Sequence, residues 1–208
     1  MIPVYEIVLM LGVIELLMVF IFLSASYIHT HIHGLVVQSA VLGCILLLLG
    51  WKEGNFDFYV LAVITFVFRT IIIPYALIWN MRNDERIWNY REIKSMRHSI
   101  IYGIILTIMA YFLYIPLYRI IGSINASIPF VIILISIFVI VTRRNAIAQI
   151  TGYVSMENSL LYMAAVVSSF PLILEMGILL DIIGTTLFAV VIAAEKRYGP
   201  LEVEELVG

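Results

Sequence analysis

Residues 149–181 read QITGYVSMENSLLYMAAVVSSFPLILEMGILLD, and the fold turns on how this stretch is parsed. Two apolar runs meet at a tight turn, Ser168-Ser169-Phe170-Pro171, and each run carries one carboxylate in its interior. Glu157 lies thirteen residues before Phe170, and Asp181 eleven residues after it. At about 1.5 Å of rise per residue, both acids fall roughly 17–20 Å from the turn. The hydrocarbon core of a bilayer is about 30 Å thick, so that depth is near its middle. Two acids at matched depth on neighbouring antiparallel helices are placed as stations on a proton or cation path.

The remainder of the chain has the same character. Of its 208 residues 63% are hydrophobic and 12% charged, with a mean hydropathy of +1.08. A soluble domain of this size needs far more polar surface around its core. Seven apolar segments are long enough to span, at about 3–25, 32–50, 57–79, 99–121, 126–142, 147–168 and 172–194. The runs are continuous rather than alternating, which excludes a membrane β-barrel. The first segment contains acids, lacks a basic start and is too long for the apolar region of a removable signal. Cys44 stands alone in an apolar run, so neither a disulfide framework nor a cysteine metal site arises within one chain.

Lysine and arginine orient the spans. Nine of them fall on one side: Arg82, Arg86, Arg91, Lys94, Arg97, Arg143, Arg144, Lys196 and Arg197. The opposite side holds Lys52 and Arg119, and Arg69 lies inside a span. The expected topology puts the N-terminus outside and the C-terminus in the cytoplasm. Trp51, Trp79, Tyr114, Tyr118 and Phe170 fall near span ends as an aromatic belt would. Met81 to Arg97 mixes charges with Ile87, Trp88 and Tyr90 and reads as a short interfacial helix, with docking of a cytoplasmic partner as the sharper reading. HGLVVQSAVL at 33–42 echoes GYVSMENSLL at 152–161, setting Gln38 against Glu157. The expected architecture is all-α, with two parallel three-helix units at 1–80 and 126–208 joined by a loop and spacer helix at 81–125.

Four charges lie near span midpoints: Glu15, Arg69, Glu157 and Asp181. Each costs roughly 2.5–3.5 kcal/mol to insert, so all four together approach a whole protein's net stability. Glu6 and Glu175 lie nearer span ends. An ion pair of Arg69 with Glu15 or Glu157 could serve packing alone, yet three central acids face one central base. Burial favours a neutral acid and a nearby cation favours the carboxylate, so opposed effects poise such a group to exchange protons. Gln149, Thr151, Ser155, Asn158, Ser159 and Tyr162 surround Glu157 in sequence, and small residues at 177 and 184 flank Asp181. Pro74, five residues after Arg69, is expected to free the carbonyl of Thr70. His29, Thr30, His31 and His33 read as proton entry or interfacial solvation, since alternate residues diverge around a helix.

The pattern G-Y-x-x-M-E-N at 152–158, E-x-G-x-x-x-D at 175–181 and the acidic tail LEVEELVG resemble the E-type membrane subunit of the group 4 membrane-bound hydrogenases, of the hydrogenase-4 and formate hydrogenlyase type. The C-terminal part in turn is similar to the K subunit of bacterial respiratory complex I and the C subunit of multisubunit cation/proton antiporters. The resemblance implies that Glu157 and Asp181 match the two intramembrane glutamates of a proton-conducting polar axis. Gln38 and Arg69 would stand in the first unit where the smaller relatives carry acids, with Arg69 tuning the carboxylates. It further implies partners: antiporter-like and complex I-like membrane subunits, a peripheral hydrogenase module, and lipid, in a prokaryotic cytoplasmic membrane. The nickel-iron site and iron–sulfur clusters would belong to those partners; no catalytic residue, cofactor, metal or nucleic-acid site is assigned here. Two other readings compete, a self-contained secondary ion transporter and a scaffold whose charges only pair. A retinal protein is excluded, because Lys52, Lys94 and Lys196 all lie outside the spans.

Overall fold

The computed structural model describes residues 4–81, 96–143, 146–167 and Gly184. These residues are helical throughout apart from short connections. α1 spans Val4–Ser24 and α2 Ile28–Glu53. α3 spans Phe56–Ile64 and runs through a π-helical segment, Thr65–Ile72, into α4, Ile73–Met81. α5 spans Met96–Ile121, α6 Ser127–Thr142 and α7 Ala146–Val167. Among the described residues, five helical stretches are long and apolar enough to cross a membrane, the fifth being Ile124–Thr142. α7 has 22 residues, about 33 Å at helical rise. The seventh expected segment and the loop at 82–95 lie outside the described residues.

Punctuation is local and cheap. Gly54 takes φ 64° and ψ 24°, and its N–H donates to the Gly50 carbonyl, closing α2 in the left-handed cap that glycine adopts without steric cost. Asn55 then accepts the Asp57 N–H at 2.9 Å and starts α3. The helices pack as a core of α1, α2, α6 and α7, with α3 and the π segment against α2, and α5 against α6 and α1. Gly12 makes one close approach possible. A Cβ there would lie 2.5 Å from the Tyr162 hydroxyl oxygen. Gly12→Val should therefore cost about 1–3 kcal/mol, read as a lower thermal midpoint in detergent; an unchanged midpoint would contradict this packing.

Exposed apolar surface is extensive. Ile101, Ile105, Ile108 and Phe112 on α5 are each about half exposed or more, as lipid-facing residues are. Trp51, Trp79 and Tyr118 are also exposed, in keeping with a belt. Tyr114 is not a belt residue. It is 2% exposed, and its hydroxyl donates to the Ser123 carbonyl. Arg143 likewise departs from the role of a loop charge. It is 3% exposed and its Nη2 donates to the carbonyls of Phe22 at 3.0 Å and Leu23 at 2.6 Å. Those carbonyls belong to the last turn of α1, which has no basic residue of its own, so a cation from elsewhere satisfies them.

Candidate functional site

The core is interrupted at mid-height. One apolar cluster gathers Val19, Phe22, Ile32, Leu35, Ile135, Val139, Ile150 and Val154. A second gathers Val8, Leu42, Ile45, Leu161, Tyr162 and Ala165. Along α1, α2 and α7 the buried side chains between the two clusters are polar: Glu15, Gln38 and Ser39, and Ser155 to Ser159 excepting the half-buried Met156. Ser136 on α6 and Arg69 in the π segment complete this layer, and all of these side chains are buried. Each sits near the middle of its helix, so the layer crosses the bundle sideways rather than along it.

Hydrogen bonds knit the layer across helices. Gln38 Nε2 donates to Ser155 Oγ at 2.9 Å, and Ser136 Oγ donates to the same oxygen at 2.9 Å. Asn158 Nδ2 donates to Ser39 Oγ at 3.1 Å. Arg69 Nη1 donates to Asn158 Oδ1 at 2.7 Å. Closer to the start of α2 and α7, His31 Nδ1 lies 3.2 Å from Thr151 Oγ1. Thr151 Oγ1 itself donates to the Ala148 carbonyl at 2.9 Å, which leaves it to accept from an Nδ1–H on His31. The pairs 31/151, 38/155 and 39/158 advance together, so α2 and α7 run parallel.

Glu157 lies beside this network, 1% exposed. Arg69 Nη2 stands 3.9 Å from Glu157 Oε2, beyond hydrogen-bond range. The guanidinium is thus hydrogen-bonded to Asn158 and only electrostatically engaged with Glu157. At 3.9 Å and an effective dielectric of about 20 the attraction is about 4 kcal/mol, while desolvation costs several kcal/mol per ion. The pair is not there for stability. Tyr153, one turn earlier, lies against Glu157. Gly184 closes the other side: a Cβ there would fall 2.8 and 2.9 Å from the two carboxylate oxygens. Only a glycine leaves that carboxylate its position.

The π segment sets where Arg69 points. The Ile73 N–H reaches back five residues to the Phe68 carbonyl, widening the helix just before Pro74 removes a donor. In place of the single freed carbonyl expected at Thr70, an eight-residue π stretch is centred near Arg69. Such stretches are rare and accumulate at functional sites.

Glu15 differs from Glu157. It is fully buried, and among the described residues neither of its oxygens has a hydrogen-bond partner. Arg69 pairs with Glu157 and not with Glu15, which decides between the two expected pairings. Replacing Glu15 with Met should raise stability by about 1–3 kcal/mol by removing an unsatisfied buried group. Thermal unfolding in detergent checks the sign, and a fall would mean that Glu15 has a structural partner.

Other expected residues divide. Gln149 turns away, donating to the Arg143 carbonyl at 2.7 Å. Ser159 bonds its own helix at Ser155 O, and Tyr162 donates to Val8 O at 3.2 Å. His29 stacks on Tyr27, whereas His31 stacks on Phe22 and turns inward. Asp181 and Glu175 lie outside the described residues. Ser39 and Ser136 join the layer although nothing in the sequence singles them out. Neither the protein-family models, the curated proteins nor the solved structures yield a match to this chain.

Proposed function

We propose that this chain carries protons through the interior of a membrane as a non-catalytic subunit of a hydrogenase-type, complex I-related assembly. The mid-height polar layer is the observation that carries this reading. It lies across the bundle, with Glu15 on α1, Gln38 and Ser39 on α2, Arg69 in the π segment, Ser136 on α6, and Ser155, Glu157 and Asn158 on α7, and a lateral route is what coupling between neighbouring membrane subunits requires. Asp181 would extend it, with Glu175 nearer the span's end.

The ion that suits this site is a proton. Asn158 Oδ1, the amide oxygen of the residue next to Glu157, is already taken by Arg69. A metal cation needs several oxygen ligands, and here it would also face a permanent guanidinium within about 4 Å of the carboxylate. A proton needs one bond. The two-unit organisation belongs to the same proposal: Ser39 and Asn158, aligned by the sequence echo, bond to each other across parallel helices. So does the orientation, with the N-terminus outside and the C-terminus in the cytoplasm. The nickel-iron and iron–sulfur centres would sit in partner subunits.

Mild-detergent isolation of the native assembly and identification of its members tests the proposal. The expected neighbours are antiporter-like membrane subunits and a peripheral hydrogenase module. Recovery of the chain alone, dissipating an ion gradient in vesicles, would establish a self-contained transporter instead. Recovery alone with no ion flux would leave only the scaffold.

A further inference from the structure

A cavity of about 250 Å³ opens between the last turns of α1 and α6 and the first turns of α5. Since a water occupies about 30 Å³ of liquid volume, this space suits a headgroup-sized molecule better than a single ion or water. Its polar wall is made by Arg143, His98, Ser99 and Thr142, and its apolar wall by Leu23 and the Tyr102–Phe138 ring pair. Among the described residues, the lining includes a guanidinium and an imidazole and no acid. Arg143 is held in place by its bonds to the Phe22 and Leu23 carbonyls, so its charge is fixed in the wall before any ligand arrives. The Ser99 hydroxyl is buried and His98 is exposed. On the outer side, Tyr102, Ile105 and Met109 form one exposed strip along α5, at spacings of three and four residues.

We propose that this cavity binds the phosphodiester headgroup of an anionic phospholipid, with an acyl chain lying along the Tyr102–Ile105–Met109 strip. The charge sign selects the anion, and basic pockets between spans are suited to such headgroups. The strip selects a lipid over a soluble phosphate, because a free anion gains nothing from an apolar surface leading out of its site. None of the lining residues belongs to the mid-height layer, so this site stands or falls apart from proton transfer.

The test uses the delipidated full-length chain in neutral detergent, followed by thermal unfolding. Phosphatidylglycerol should raise the midpoint by at least about 5 °C over phosphatidylcholine when supplied well above its dissociation constant. Arg143 also caps α1, so its removal confounds folding; His98→Glu, on the exposed rim, places a negative charge at the cavity mouth without that risk. In His98→Glu the phosphatidylglycerol effect should vanish while the midpoint in phosphatidylcholine stays unchanged. Equal protection by the two lipids, or full protection retained in His98→Glu, would overturn the site. Inorganic phosphate reproducing the whole effect would overturn the lipid and leave a soluble anion.

Discussion

Glu157→Gln in the assembled complex is expected to cut the initial rate of ion-gradient formation at least about tenfold, equivalent to 1.36 kcal/mol or more on the transfer barrier. The redox module should still turn over artificial electron acceptors. Gln has the volume of Glu, keeps an acceptor toward Tyr153 and still fits against Gly184, but it strands the Arg69 guanidinium, so assembly of the variant complex is verified before its gradient is read. What it lacks is a proton it can release. Asp181→Asn is expected to act likewise, on sequence grounds. Undiminished gradient formation in both variants would remove the conducting role and favour charges that only pack helices.

Arg69→Met should destabilise the chain by about 3–5 kcal/mol, because it removes one partner of a buried charge pair. Two groups lose out together: Glu157 loses its counter-charge at 3.9 Å, and Asn158 Oδ1 loses its donor at 2.7 Å. The double variant Arg69→Met with Glu157→Gln should recover much of the loss, since no charge remains to be stranded. Unfolding midpoints of the two single variants and the double variant form the required cycle. An Arg69→Met protein as stable as the parent would mean the guanidinium is solvated rather than enclosed.

Much of this is legible in the residues, for identifiable reasons. Long apolar runs can bury their backbone polar groups in lipid only as helices, so the first six expected segments coincide with helices to within a few residues. Hydropathy places the start of α2 four residues late, at 32 instead of Ile28. Histidines at 29, 31 and 33 depress hydropathy there without stopping a helix, and His31 finds its partner in Thr151. Glu15, Arg69 and Glu157 announce themselves because a charge in lipid is conspicuous. Ser39 and Ser136 do not, because most membrane serines and threonines merely bond their own helix, as Ser159 and Thr107 do. Which serines bond sideways depends on the neighbouring helix. Arg143 counts among the loop charges in sequence for a similar reason: only the packing of α1 against α6 decides whether its guanidinium meets water or carbonyls. The π segment leaves no trace beyond Pro74, since Thr65–Ile72 contains no glycine and no proline.

Infrared difference spectroscopy of the purified complex during turnover addresses proton transfer through Glu157 most directly, because a protonated carboxyl in an apolar site has its own carbonyl stretch. The expected result is a carboxyl band that appears and disappears with turnover and is missing in Glu157→Gln. A turnover spectrum identical in parent and variant, with no carboxyl band changing, would show that Glu157 never exchanges its proton and would contradict the conducting role.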